Sequence, residues 1–299
     1  MPDRREPLGR VITGRHNGVD GRTAMRSDDV SDSDTPAEGP TRLNTGVAHN
    51  ARVWNYWIGG KDNYEIDQQV GEHVAGLFPV IREVARADRD FLGRAVRFLT
   101  VERGVRQFLD IGTGLPTVDN THEIAQRVAP DARIVYVDND PLVLIHARTL
   151  LTSTPEGVTD YIDADVHDPE SIVRRAAGTL DFDRPVAVMM LGILNFILDT
   201  EDARDVVRKV MSAVPSGSYL VLTHPTFDAD LGGEGNVPAM AFWNENATPP
   251  ITARSREDVA AFFEGLDLLD PGLVPCSRWR PDADSPAVVP QFGAVAVKP

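Results

Sequence analysis

Between positions 47 and 100 apolar residues recur at helical intervals, with Ile81, Val84, Phe91, Ala95 and Leu99 on one stripe. The spacing predicts an α-helical lead-in. Beyond it the pattern changes to short apolar runs alternating with helical stretches. The run at 105–111 reads as a buried strand because it is compact and stopped by glycine. "ARIVYVDND" and "TDYIDAD" read as a second and a third strand, and "PVAVMMLGILNFI" as a central fourth strand buried on both faces. "SYLVLTH" is a fifth, and "LDLLDPGLV" and "QFGAVAVKP" close the chain as strands. The helices between them include "PLVLIHARTLL", with Pro141 in its first turn, and "TEDARDVVRKVMSAV", with Thr200 as its N-cap. Seven strands interleaved with helices, the last two joined without a crossover helix, predict an α/β Rossmann-like fold. Its sheet is mainly parallel with one antiparallel edge strand that closes the chain. "DADLGGEGNVPAMAFWNENATPP" is expected as a loop or small subdomain over the carboxyl edge of the sheet.

Composition narrows this picture. A chain of 299 residues with 42% hydrophobic content can bury a substantial core. Its formal net charge of −15 repels phosphate backbones, which argues against nucleic acid as a partner. Cys276 is the only cysteine, so no internal disulfide is possible, as expected of a reducing cytoplasm. No apolar run reaches the roughly 18 residues of a spanning helix, so no membrane partner is expected. Residues 1–45 are poor in large apolar side chains, which predicts a disordered tail; a true start at Met25 is the alternative. The domain is then 46–299, with a helical lead-in over 46–104 and a sheet core over 105–299.

The chemistry begins at "FLDIGTGLPTVDNTHEIAQ". Asp110 stands at the end of the first strand, and Gly112 and Gly114 allow a tight turn whose bare main chain a ligand can approach. Asn120 and Glu123 have the spacing of a capping box, so a helix starts near Thr121. Asp138, 24 positions after Gly114, ends the second strand where a carboxylate can accept from both hydroxyls of a ribose, with Asn139 beside it. Asp165 follows the third strand; its carboxylate can accept from an adenine amine while the amides of Ala164 and Val166 face the ring edge. Leu191 ends the fourth strand beside the same crevice. A dinucleotide fingerprint needs a third glycine where Thr117 stands, and Pro116 stiffens the loop. S-adenosyl-L-methionine, which has no pyrophosphate, explains more of the pattern than NAD. The histidines are scattered and Cys276 is alone, so no metal set is read.

With "ARVWNYWIGGKDNYEID", "VYVDNDPLVL", "DADVHDP" and "GLDLLDPGLVPCSRWRP" added, the chain over 45–299 resembles an actinobacterial family of S-adenosylmethionine-dependent methyltransferases of the class I fold. Trp54 and Asn55 stand where that family often has Tyr and Asp, and Tyr64 where Phe is common. The resemblance implies that Asp110, Gly112, Gly114, Asp138 and Asp165 hold the cofactor. It also draws in Gly59, Gly60, Lys61 and Asn63, where Lys61 could pair with the methionine carboxylate or simply be a solvated lysine after a helix-ending turn. Arg52 and Tyr56 come under the same reading, with core packing as the alternative for Tyr56.

Methyl transfer from a sulfonium is an in-line displacement with an activated leaving group, so little catalytic machinery is needed. The candidates are Asn195 after the fourth strand and His224 after the fifth, the latter as a base or as a strand-end histidine bonded to its own loop. Phe227, Met240, Phe242 and Trp243 are candidates for an acceptor pocket or for interior packing. The leading function is methyl transfer to a small-molecule acceptor. A nucleotide-dependent oxidoreductase and a non-catalytic binder of the cofactor are the alternatives.

Overall fold

The computed structural model describes residues 44–150, 152–282 and 286–299. Every described residue belongs to one compact unit, Thr41–Pro299. The tail expected over 1–45 and the alternative start at Met25 lie outside the described residues, except for Asn44 and Thr45.

A short strand β1 (Ala48–His49) leads into three helices, α1 (Asn50–Trp57), α2 (Glu65–Leu77) and α3 (Ile81–Val101). Strands and helices then alternate: β2 (Gln107–Ile111), α4 (Thr121–Val128), β3 (Arg133–Asp138), α5 (Pro141–Leu150), β4 (Val158–Asp163), α6 (Pro169–Ala176), β5 (Ala187–Leu191), α7 (Thr200–Ala213) and β6 (Tyr219–Pro225). The remainder comprises α8 (Asn236–Asn246), β7 (Ala247–Thr248), α9 (Arg256–Ala261), β8 (Asp267–Leu268), β9 (Val274–Pro275) and β10 (Gln291–Val297).

The main sheet runs β4-β3-β2-β5-β6-β10-β8, with β9 paired to β10. Strands β2 to β6 are mutually parallel, and β10 is antiparallel to β6 from Gln291 opposite Pro225 to Val297 opposite Tyr219. The fold is thus the class I Rossmann-like α/β architecture. The antiparallel strand expected at the edge lies one place inside it, because the two-residue β8 pairs along its outer side. From β2 the chain steps outward to β3 and β4, then returns to add β5 on the other side of β2. This reversal leaves a crevice at the carboxyl ends of β2 and β5, the switch point at which open α/β sheets bind ligands.

Side chains alternate across the sheet. Phe108, Ile134, Tyr136 and Met189 face the layer containing Phe91, Leu99 and Trp279, whereas Leu109, Val135, Val188 and Met190 face Ile172, Val206, Val210 and Phe262. Both faces are therefore covered, as a parallel sheet requires.

Local chemistry sets the helix ends. The expected capping box at α4 is present, with Asn120 N donating to Glu123 Oε2 at 2.7 Å. At α7 the cap is Asp199 rather than Thr200, since the Asp199 carboxylate accepts from Glu201 N at 2.8 Å and Asp202 N at 3.0 Å. A carboxylate there also complements the helix dipole. The segment expected as a loop or small subdomain holds α8, whose last residue runs into β7, and β7 pairs in parallel with β1. The start of the helical lead-in is thereby tied to the far end of α8.

Candidate active site at the carboxyl edge of the sheet

The turn after β2 is built by two left-handed glycines, Gly112 at φ +81° and Gly114 at φ +66°. A Cβ at Gly112 would come within 2.6 Å of the Ile193 side chain, so both angle and space exclude other residues. At Gly114 nothing lies within 4 Å of the same point, and the bare backbone there faces open space. Its N–H donates to Asp138 Oδ2 at 2.8 Å, which locks the turn to the end of β3. Asp110 Oδ2 accepts from Thr121 Oγ1 at 2.6 Å. Burial pushes the Asp110 carboxyl up to about 6, against the opposing pull of Thr121 and Arg89.

Asp138 uses one acceptor position on each oxygen, Oδ2 for Gly114 and Oδ1 for Asp140 N at 3.0 Å. A carboxylate can accept about four hydrogen bonds, so two remain for a pair of hydroxyls. Burial holds its carboxyl above the usual range. Next to it, Asn139 Nδ2 donates to Asp165 Oδ2 at 3.0 Å, and Asp165 Oδ1 takes the backbone N–H and Nδ1 of His167 at 2.9 and 2.6 Å. Burial raises the Asp165 carboxyl, but the His167 contacts outweigh it and the net shift is downward. The amide of Ala164 is not free to meet an adenine ring edge, because it donates to Asp138 O at 3.1 Å.

A cavity of about 150 Å³ adjoins this turn, beneath α1, α3 and α8. Its wall includes Asp110, Gly112, Gly114, Leu191 and Asn195 among the residues expected from sequence, and Met240 and Trp243 of the expected acceptor pocket. Phe227 is exposed and off the wall, and Phe242 instead stacks on His73 with ring centroids 3.9 Å apart. Asn195 is buried, and its Oδ1 has no hydrogen-bond partner among the described residues.

Gly60, Lys61 and Asn63 are off the wall. Asn55 Oδ1 accepts from Asp62 N and Asn63 Nδ2, both at 3.0 Å, and Gly60 N donates to Asn55 O at 2.8 Å. These bonds fold the loop back on α1 and leave Lys61 exposed, away from the cavity. Asn55, which reaches the wall, is the loop's hub. Arg52 is held in a buried pair with Asp67 at 2.9 Å, and Tyr56 bonds Glu72 at the surface.

His224 does not fit the role of a base. It is fully buried and off the wall, its Nδ1–H donating to Pro225 O and its Nε2 accepting from Arg254 Nη1, both at 2.8 Å. Burial lowers its pKa to about 3, so the ring stays neutral with both nitrogens occupied.

The charged residues on the wall are Asp88, Arg89 and Asp110, two of which are absent from the expected set. Asp88 Oδ1 accepts from Gln291 Nε2 at 2.5 Å. Arg89 Nη2 donates to Val118 O, Asp119 O and Asn120 Oδ1 at 3.1, 2.9 and 3.2 Å, which leaves Nε and Nη1 without a hydrogen bond among the described residues. One sequence signal pointed to Asp88: it occupies the apolar stripe of α3, four positions after Val84 and three before Phe91.

Residues 36–299 match the model of a family described as S-adenosyl methyltransferase. The chain is 43% identical to a DUF574 family protein of Streptomyces avermitilis, covering 86% of this chain and 100% of that one with a TM-score of 0.81. It is 38% identical to a Thermobifida fusca protein assigned as a methyltransferase, covering 85% of this chain and 96% of that one with a TM-score of 0.77. At 12% identity, magnesium protoporphyrin IX methyltransferase of Synechocystis PCC 6803 shares the fold, covering 83% of this chain and 93% of that one with a TM-score of 0.50. A search among curated proteins finds no match. The chain belongs to the S-adenosyl methyltransferase family, and it is a methyltransferase that uses S-adenosylmethionine.

Proposed function

We propose that the protein methylates a small-molecule acceptor held in the cavity beneath α1, α3 and α8, and that it works in the cytoplasm. The carrying observation is the continuity of the cavity from the Gly112–Gly114 turn to a wall of Trp54, Phe78, Met240 and Trp243. The methionine end of a donor site and an apolar acceptor chamber then share one cavity, with Asp138 and Asp165 off its wall beyond the turn. The net charge of −15 supports a small molecule over nucleic acid. Among the described residues no helix is long and apolar enough to cross a membrane.

The residues present fit the cofactor. The open face at Gly114 admits a ligand against the main chain, and Asp138 has acceptor positions for two ribose hydroxyls. Asp165, steadied by Asn139 and His167, takes the adenine amine in this reading. Arg89 replaces Lys61 as partner of the methionine carboxylate, being the one cation on the cavity wall among the described residues. Asp110 faces the methionine ammonium. When bound, S-adenosylmethionine supplies a methyl group on a sulfonium, so alignment and exclusion of water are the tasks left to the protein.

Titration calorimetry with S-adenosylhomocysteine tests the assignment. Asp138→Ala is expected to weaken binding by about 1–3 kcal/mol. An unchanged affinity removes Asp138 from the site. The same measurement against pH reads Asp110, whose carboxyl at about 6 is protonated and neutral in more acidic solution. An ion pair with the ammonium is therefore present above pH 6 and lost as the pH falls, at about tenfold in affinity per unit. Affinity that stays flat from pH 7 to pH 5 excludes that pairing.

A further inference from the structure

Once the cofactor zwitterion is set between Arg89 and Asp110, one charged group on the cavity wall is left unmatched. It is Asp88, a residue on α3 that is only 8% exposed. Gln291 Nε2 donates to its Oδ1, the Thr223 hydroxyl lies close enough to favour the charged carboxyl, and the residue lines the chamber. Asn195, across the strand ends from it, brings a second buried oxygen without a partner among the described residues. A buried carboxylate and an unbonded carboxamide oxygen favour a ligand that carries positive charge and donates hydrogen bonds. The remaining wall is largely aromatic and apolar, with Trp54 and Trp243 among its residues, which suits a cation attached to an apolar body. The same cavity of about 150 Å³ also reaches the glycine turn, so the acceptor is small.

We infer that the acceptor is a small primary or secondary amine on an apolar body, and that Asp88 binds its ammonium and takes the proton released before methylation. This rests on the proposed cofactor placement. Bound as an ammonium, the acceptor passes one N–H proton to the Asp88 carboxylate, which exposes the nitrogen lone pair. That pair forms the new N–C bond while the C–S bond breaks and its electrons stay on sulfur. The product leaves as a methylammonium and Asp88 returns its proton to solvent. Charge is conserved, since ammonium, carboxylate and sulfonium become methylammonium, carboxylic acid and thioether. Among the described residues, the charged or titratable groups facing Asp88 are Arg89 of its own helix and the buried Cys276 thiol, with Gln291 and Thr223 as neutral neighbours. Burial pushes the Asp88 carboxyl up to about 6, which suits a group that gains and loses a proton near neutrality.

The test compares 2-phenylethylamine, 2-phenylethanol and 3-phenylpropanoate, which share a body and differ in head group. Each is titrated at pH 7.5 into the full-length protein saturated with S-adenosylhomocysteine. The amine is expected to bind about 10- to 100-fold more tightly than the alcohol, and the carboxylate more weakly still. Asp88→Asn, which keeps the shape and the Gln291 contact, is expected to erase the preference for the amine while S-adenosylhomocysteine binding is retained. A crystal of the ternary complex is expected to show the amine nitrogen within hydrogen-bond distance of Asp88. Preference for the alcohol or the carboxylate overturns the inference. So does an amine preference that survives Asp88→Asn, or a protein that binds S-adenosylhomocysteine and none of the three. Should Asp88→Asn fail to fold, the ranking of head groups on the unmodified protein decides. Failure to bind S-adenosylhomocysteine at all would overturn the cofactor placement instead.

Discussion

Replacing Asp67 with alanine is expected to lower the free energy of unfolding by about 3–5 kcal/mol. Asp67 is fully buried, and its carboxylate accepts from His49 N at 3.0 Å, Tyr64 N at 2.8 Å and Arg52 Nε at 2.9 Å. Arg52 is itself buried and also donates to Asn44 O and Val47 O. Without the carboxylate, a guanidinium and two amides stay in the interior with no counter-charge or acceptor. The burial of a lone charge costs far more than the net worth of the pair. Val53, Trp57, Val70 and Val74 share one core with Phe91 and Phe108, so the damage is expected to destabilise the sheet as well as the lead-in. Denaturant unfolding followed by circular dichroism measures it. A loss below about 1 kcal/mol, the range of an exposed pair, would mean that water reaches this site in solution.

Arg254→Met is expected to cost a similar amount, about 3–5 kcal/mol, through several lost bonds rather than one lost pair. The Arg254 guanidinium donates to Leu194 O at 3.0 Å, Ile197 O at 2.6 Å, Asp199 O at 3.1 Å and Thr200 Oγ1 at 3.1 Å, and it meets His224 Nε2 at 2.8 Å. One fork thus spans the loop between β5 and α7 that carries Asn195. Methionine fills the space and satisfies none of these acceptors. Hydrogen exchange should rise in 194–200 while the protection of β2 and β3 is kept. Uniform exchange across the sheet and an unchanged unfolding midpoint would both contradict the loop's dependence on Arg254.

Much of the site's backbone was legible in the chain because it is local. Glycine at 112 and 114 follows from the angles a tight βα turn demands, and Asn120 with Glu123 satisfies amides within one helical turn. Strand-end carboxylates could be read because parallel strands place their carboxyl ends at one edge, whichever order they adopt. Asp110, Asp138 and Asp165 therefore needed no knowledge of the neighbours. Lys61 misled for the opposite reason. The family resemblance suggested reach into the site, whereas Asn55 gathers that loop and turns Lys61 outward, as the alternative of a solvated lysine after a helix-ending turn required. Of the two readings of His224, a base or a strand-end histidine bonded to its own chain, the second holds, and Arg254, 30 residues later, closes over its other nitrogen.

Helix α8 escaped notice because Ala239 and Trp243 are buried while Met240 also lines the cavity, so no single apolar stripe forms. Asp88 could be seen as a carboxylate out of place on an apolar face, but not what it would face. By itself the sequence determined the alternating elements, the glycine turn and the acids at the strand ends, since these depend on the dihedral and hydrogen-bonding needs of adjacent residues. Only the tertiary structure decided which charges share the cavity. Asp88 and Arg89, neighbours on α3, meet Asp110 and the uncharged Asn195 from segments whose separation in the chain carries no information on their distance, and burial then sets which of them stay free to meet a ligand.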